Sequence, residues 1–122
     1  MYMNYNIKGT GVGVTDELRS YVEKRLGGAD KFLGGDSTTH ANVELEYAEI
    51  RDGSKNRAEF TVAAHGEVYR AEAWGTTMHE AIDIASDQLM REVRRSKKKR
   101  LALVRKGGAA IKDAIRGLRD RF

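Results

Sequence analysis

Between Arg91 and Arg100 seven of ten residues are basic (Arg91, Arg94, Arg95, Lys97, Lys98, Lys99 and Arg100), against the single carboxylate of Glu92. Cations at this density suit one chemistry above others, the neutralisation of phosphates with release of condensed counterions. On a helical wheel of ~100° per residue with Leu89 at zero, Met78, Ile82, Ala85 and Val93 fall within about 40° of it. Arg91, Arg94, Arg95 and Lys98 fall at roughly 140–240°, so the cations share the face opposite the apolar stripe. A solvated face would mix its signs, and this one does not. Paired Asn or Gln base readers are missing from the run, so recognition should follow RNA shape and backbone more than sequence. An earlier helix can add Arg19, Lys24 and Arg25 to a neighbouring surface.

The residues that could support catalysis are scattered. His40, His65 and His79 stand one per segment, with no HxxxH or His-plus-carboxylate spacing for a metal. Asp83 and Asp87 lie one helical turn apart, which a solvated face explains more simply than an acid–base pair. GTGVG at 9–13 lacks both the Lys-Ser/Thr ending of a P-loop and the GxGxxG spacing, and reads as a strand-to-helix loop. No enzyme, cofactor or metal site is expected.

The elements that must position the basic run follow from periodicity. Met3, Tyr5 and Ile7 alternate with polar residues as in a half-buried strand, after which Gly9, Gly11 and Gly13 loosen the chain into a loop. Thr15 is a suitable N-cap, followed by Asp16 and Glu17, and Leu18, Tyr21, Val22, Arg25 and Leu26 keep helical spacing. Gly27-Gly28 should stop or weaken that helix, although Ala29, Phe32 and Leu33 could extend its stripe by a turn. Residues 34–39 read as a loop. Three strands follow, built on Val43, Leu45 and Tyr47, then Ala58, Phe60, Val62 and Ala64, then Tyr69, Ala71 and Ala73. His65-Gly66-Glu67 forms a tight hairpin and residues 51–56 a looser turn. A long helix starts near Thr76 or Thr77, and small Ala71 and Ala73 let it lie close to the sheet. Polar Ser96 and Arg100 reach its core side, so its last turns should project beyond the sheet. Gly107-Gly108 breaks the chain, and Ala110, Ile111, Ala114, Ile115 and Leu118 outline a short amphipathic helix in a basic tail.

This order predicts an α+β two-layer sandwich, β-α-β-β-β-α, with two helices on one face of a four-stranded sheet. The outward sheet positions, Glu44, Glu46, Glu59, Thr61, Arg70, Glu72 and Trp74, offer one aromatic among several carboxylates and make a poor RNA platform. Length bounds the chain to one domain at residues 1–101 plus a tail at 102–122. Without Cys, no disulfide framework or zinc ribbon can form, and no stretch approaches the ~18 apolar residues of a membrane span. A cytoplasmic protein is the expectation. Charge is uneven: residues 1–90 hold nine Lys/Arg and fifteen Asp/Glu (net −6), residues 91–122 thirteen and three (net +10), which together give the chain's +4. Such asymmetry suggests a polyanionic partner, with a solubilising tail as the blander reading.

The stretches NIKGTGVGVTDELRSYVEKRL at 6–26 and YRAEAWGTTMHEAIDIASDQLMREVRRSKKK at 69–99 resemble the short-form ribosome hibernation-promoting factor and ribosome-associated inhibitor A family, also called sigma-54 modulation proteins. Gly75, Met78, Ala81-Ile82-Asp83 and the basic helix end follow the family pattern in order, over about residues 3–101. The resemblance implies a fold like that of double-stranded-RNA-binding domains, and binding to the small ribosomal subunit and the 70S ribosome, through 16S-type ribosomal RNA, in the channel for mRNA and the A- and P-site tRNAs. It also implies translation inhibition in stressed or stationary cells, and a protein that is monomeric when free. By position, Arg25, Arg91, Arg94, Arg95, Lys98 and their neighbours would touch ribosomal RNA, while Asp83 would be structural. About 20 residues remain after the domain, too few for the dimerisation domain of long-form members, so ribosome pairing by this chain alone is not expected. Two other readings compete. One is a general double-stranded-RNA binder, whose basic cluster usually opens the last helix. The other is a sigma-factor or protein–protein regulator acting through the acidic sheet face or the tail.

Overall fold

The computed structural model describes residues 4–33, 38–49 and 53–105. The chain order is β1 (Asn4–Thr10), α1 (Asp16–Leu33), β2 (His40–Tyr47), β3 (Asn56–Ala64), β4 (Glu67–Gly75) and α2 (Met78–Arg105). The sheet runs β1-β2-β3-β4, with β1 and β2 parallel and the other pairs antiparallel. This is the α+β two-layer sandwich that the periodicity implies. The expected tail helix around 110–118, Met3 and Arg51 lie outside the described residues.

Alternation in β2 to β4 sends one set of side chains inward: Val43, Leu45, Ala58, Phe60, Val62, Tyr69, Ala71 and Ala73 are all buried. They meet Leu18, Val22, Leu26, Ala29 and Leu33 of α1 and Ile82, Ala85, Leu89 and Val93 of α2. Gly75 is required where β4 hands over to α2. A Cβ there would sit 2.8 Å from the Ala81 backbone nitrogen, so α2 starts almost in contact with the strand end. The hairpin is tighter than expected. Only His65 and Gly66, both at positive φ, lie between the paired residues Ala64 and Glu67.

Both helix starts are capped by a threonine, the first as the sequence indicates. Thr15 Oγ1 accepts from the Leu18 amide at 3.2 Å, and Thr77 Oγ1 from the Glu80 amide at 3.1 Å. Of the two outcomes left open at Gly27-Gly28, the second holds: α1 continues to Leu33 because Ala29 and Leu33 bury fully against the core and outweigh the helix cost of two glycines. One expectation needs correction. Gly9 and Thr10 are not loop. They extend β1 opposite Leu45 and Glu46, because a parallel ladder to a distant strand supplies pairing that local composition does not reveal.

Candidate nucleic-acid interface

The two helices lie side by side on one face of the sheet; Asp16, Glu17, Glu80 and Asp87 are exposed towards their starts, and from Arg91 onward α2 exposes cations with Glu92 alone among them. Arg19, Lys24 and Lys31 of α1 are exposed, as are Arg91, Arg94, Arg95, Lys97, Lys98 and Lys99 of α2. Arg100 lies on the backbone of the same helix. Eighteen steps from Met78 to Ser96 advance about 27 Å, close to the ~30 Å of nine-residue β4. Ser96 is where the helix meets the far end of that strand: its Oγ accepts from Tyr69 Oη at 2.9 Å and donates to Glu67 Oε2 at 3.0 Å. The remaining nine residues, to Arg105, add about 13 Å beyond that anchor.

The structure divides the basic run between two flanks of α2. Arg94 and Lys97 turn towards α1, their charged ends 5.2 and 5.4 Å from the centroid of the Phe32 ring. Each such contact is worth about 0.5–1 kcal/mol at an exposed site, and together they hold two long side chains in place over the helix pair. Phe32 can serve only because α1 runs through its glycines. On the other flank Arg91 and Arg95 face Arg70 and the edge of β4. Within 91–99 the one ion pair among the described residues is Arg95–Glu92 at 3.4 Å.

Nearer the start of α2, a polar cluster joins the helices. Asp83 accepts from both Tyr21 Oη and the Arg25 guanidinium. Arg25 also reaches Tyr21 Oη at 3.3 Å and lies 5.5 Å from its ring centroid. The hydrogen bond to Tyr21 holds the Arg25 pKa above its ordinary value, partial burial opposes this, and the charge of Asp83 adds to it. Arg25 is thus a fixed cation, committed in part to its own fold. Asp83 is not merely solvated; it clamps one helix to the other. Beside this cluster Lys24, Arg25, Gly28, Asp87 and Met90 line an interhelical cleft of about 300 Å³.

The opposite face of the molecule is charged in a different way. Alternation places Arg57 on the outer face beside Glu46 and Trp74 in the neighbouring strands. Its guanidinium pairs with Glu44, with Glu46 and Glu59 at 3.4 Å each, and with Glu72 at 3.6 Å. The sequence reading overlooked Arg57, although its parity with Ala58 and Phe60 already pointed it away from the core. The carboxylates therefore surround a cation instead of forming a bare acidic sheet.

Residues 5–101 match the model of a family described as sigma 54 modulation protein / S30EA ribosomal protein. The chain belongs to this family. Its curated relatives include a ribosome hibernation promotion factor of Deinococcus radiodurans, 37% identical over 94 residues, covering 76% of this chain and 48% of that protein. Another, from a Picosynechococcus strain, is 35% identical over 98 residues, with coverage of 80% and 50%. This S30EA chain therefore spans about half the length of the curated relatives it matches. Among solved structures, the N-terminal domain of Thermus thermophilus Protein Y superposes with a TM-score of 0.65 at 33% identity, covering 78% of this chain and 98% of that one. A ribosomal subunit interface protein from Coxiella burnetii shares the fold, with a TM-score of 0.63 at 18% identity.

The histidines of this S30EA chain occupy structural positions. His79 Nε2 lies 3.2 Å from Glu17 and its ring packs edge-on against Tyr21 at 4.6 Å, stitching the two helix starts together. His65 Nε2 lies 2.7 Å from the Leu33 carbonyl oxygen, joining the β3–β4 turn to the end of α1. His40 is exposed at the start of β2. Among the described residues no group of three or more His, Cys, Asp or Glu is placed to hold a metal, and no helix is long and apolar enough to cross a membrane.

Proposed function

We propose that this S30EA chain is a ribosome hibernation factor. It binds the small ribosomal subunit in the channel used by mRNA and the A- and P-site tRNAs, and inhibits translation by occupying it, without catalysis. The observation that carries this reading is the outer surface of the helix layer. Arg91, Arg94, Arg95, Lys97, Lys98 and Lys99 are exposed with one carboxylate among them, on a helix that overhangs the sheet. Lys24, Arg19 and the pre-oriented Arg25 extend the surface, and Arg100 is proposed as a further RNA contact from its place in the basic run. A rigid, overhanging, cationic helix can follow ribosomal-RNA backbones inside a channel, and phosphate contacts of this kind position a protein without reading bases. The names carried by its relatives point the same way. In this reading the protein is cytoplasmic and monomeric when free, residues 1–101 form the binding domain, and the basic residues of 102–122 add to its attraction for RNA.

Sucrose-gradient sedimentation tests it. The protein should travel with small subunits and 70S ribosomes at physiological salt and leave them as salt rises. Changing Arg91, Arg94, Arg95 and Lys98 together to Glu should weaken binding by on the order of 100-fold or more, since each lost phosphate contact removes about one unit of log–log salt slope. Unchanged sedimentation of that variant would falsify the reading. Equal affinity for ribosomes and for a random RNA duplex would replace it with general duplex binding.

A further inference from the structure

We propose that the free edge of β4 carries a second polyanion site, which takes the phosphate backbone of an RNA strand other than the one met by the outer surface of the helix layer. This rests on the ribosome-binding reading and deepens it. β4 is the last strand of the sheet, so alternate backbone amides point away from β3 with no neighbouring strand to accept them. Against that edge an open cleft of about 520 Å³ is walled by Arg70 from the strand, by Arg91 and Arg95 one turn apart on α2, and by Val68, Gln88 and Glu92. Arginines from two separate elements thus border one space, Arg70 at the strand edge with its side chain towards Glu59 and Arg91 and Arg95 on the helix.

Their existing partners are weak. The Arg70 side chain is 71% exposed and reaches Glu59 at 3.7 Å, while Arg95 is 65% exposed and reaches Glu92 at 3.4 Å. Pairs this exposed contribute little, so a phosphate can displace them. Guanidinium forks suit phosphate oxygens, which they can grip with two hydrogen bonds each. Val68, 69% exposed, offers apolar surface to a ribose or base, and the Gln88 amide can both donate to and accept from a base edge. The cleft is separate from the interhelical one. On the α2 wheel Arg91 and Arg95 sit at roughly 200–240° from the buried stripe, and Arg94 and Lys97 at roughly 80–140°. Lys98 stands on the crest between, so α2 divides two tracks of positive charge. An extended acidic peptide could also pair with such an edge, but the basic crest continues into the cleft and favours a nucleic acid.

Arg70 is the discriminating residue because it lies on neither helix. With the full chain, binding to small subunits and, separately, to a 20-base-pair RNA duplex (~20 pairs spans the surface) is measured over a salt series for Arg70→Gln, Arg70→Lys, Arg94→Gln and the double Gln variant. Arg70→Gln should lower the log–log salt slope by about one unit and add to the effect of Arg94→Gln, with Arg70→Lys restoring the slope. Thermal unfolding of each variant checks that the fold is intact. A wild-type slope for Arg70→Gln on both RNAs, with Arg94→Gln impaired, overturns the second site. So does an Arg70→Gln loss seen only with a polyglutamate peptide. Wild-type protein that binds the duplex but not ribosomes overturns the functional reading instead, and the Arg70 comparison on the duplex still decides the site.

Discussion

The two faces of this protein both carry dense charge, and they use it in opposite ways. On the outer sheet face Arg57 sits among Glu44, Glu46, Glu59 and Glu72, its side chain only 11% exposed. On the outer helix face six exposed cations between Arg91 and Lys99 share one carboxylate. Strand pairing brings side chains from three strands to one point, where opposite charges satisfy one another. A helix surface spreads its residues over its own turns, and a single-sign face stays unsatisfied until a partner supplies counter-charge. Charge density alone does not mark a binding surface; unpaired charge does.

This contrast can be broken by substitution. Arg57→Ala leaves four neighbouring carboxylates without their shared cation. It should cost about 2 kcal/mol, below the 3–5 of a fully buried pair because the glutamates are partly solvated. That is a drop of roughly 8 °C in Tm for a domain of this size. Ribosome binding by the folded fraction should be unchanged. The converse holds for the helix face, where charge reversal should weaken binding by on the order of 100-fold or more while Tm falls by no more than about 4 °C, the share of the Arg94–Phe32 contact. A helix-face variant that unfolds, or an Arg57 variant that stays folded but loses ribosomes, would reverse the assignment of the two faces.

A smaller effect tests how the helix layer is held. A Cβ built on Gly27 meets nothing within 4 Å, and α1 is helical through it. Gly27→Ala should therefore stabilise the protein by about 0.5–1 kcal/mol in denaturant titrations and leave binding untouched. Loss of stability would mean that the glycine answers a need the packing does not display.

The smallest effect concerns pH. Tyr5 of β1 donates to the Glu23 carboxylate of α1, and this hydrogen bond holds the phenol above its ordinary value of 10.0, with burial adding to the shift. A raised pKa means the folded state favours the protonated phenol. The stabilisation is complete below about pH 10 and is lost as pH rises through the folded value. Thermal midpoints measured from pH 8 to 11 should fall more steeply in the wild type than in Tyr5→Phe. Parallel curves would remove this link between the layers.

Much of this was legible in the residues themselves. Alternation across Val43–Tyr47, Ala58–Ala64 and Tyr69–Ala73, the cap Thr15, a helix start near Thr76 or Thr77, and the stripe Met78–Ile82–Ala85–Leu89–Val93 are local signals, and they specified the order of elements and the basic helix face. What escaped was non-local. The Asp83–Arg25 clamp joins residues 58 positions apart. The glutamates around Arg57 meet only through strand register. Continuation of α1 past Gly27-Gly28 depends on core contacts that outweigh helix propensity. The wheel grouped Arg91, Arg94, Arg95 and Lys98 on one face; only the packing shows that Arg91 and Arg95 face the β4 edge while Arg94 and Lys97 face α1.

The most direct measurement is a cryo-electron-microscopy reconstruction of this chain bound to the small ribosomal subunit. The two helices should face ribosomal RNA in the mRNA/tRNA channel, with Arg91 to Lys99 against phosphates and the Arg57 cluster turned away. A complex seated through the outer sheet face, or one bound outside that channel, would contradict the account.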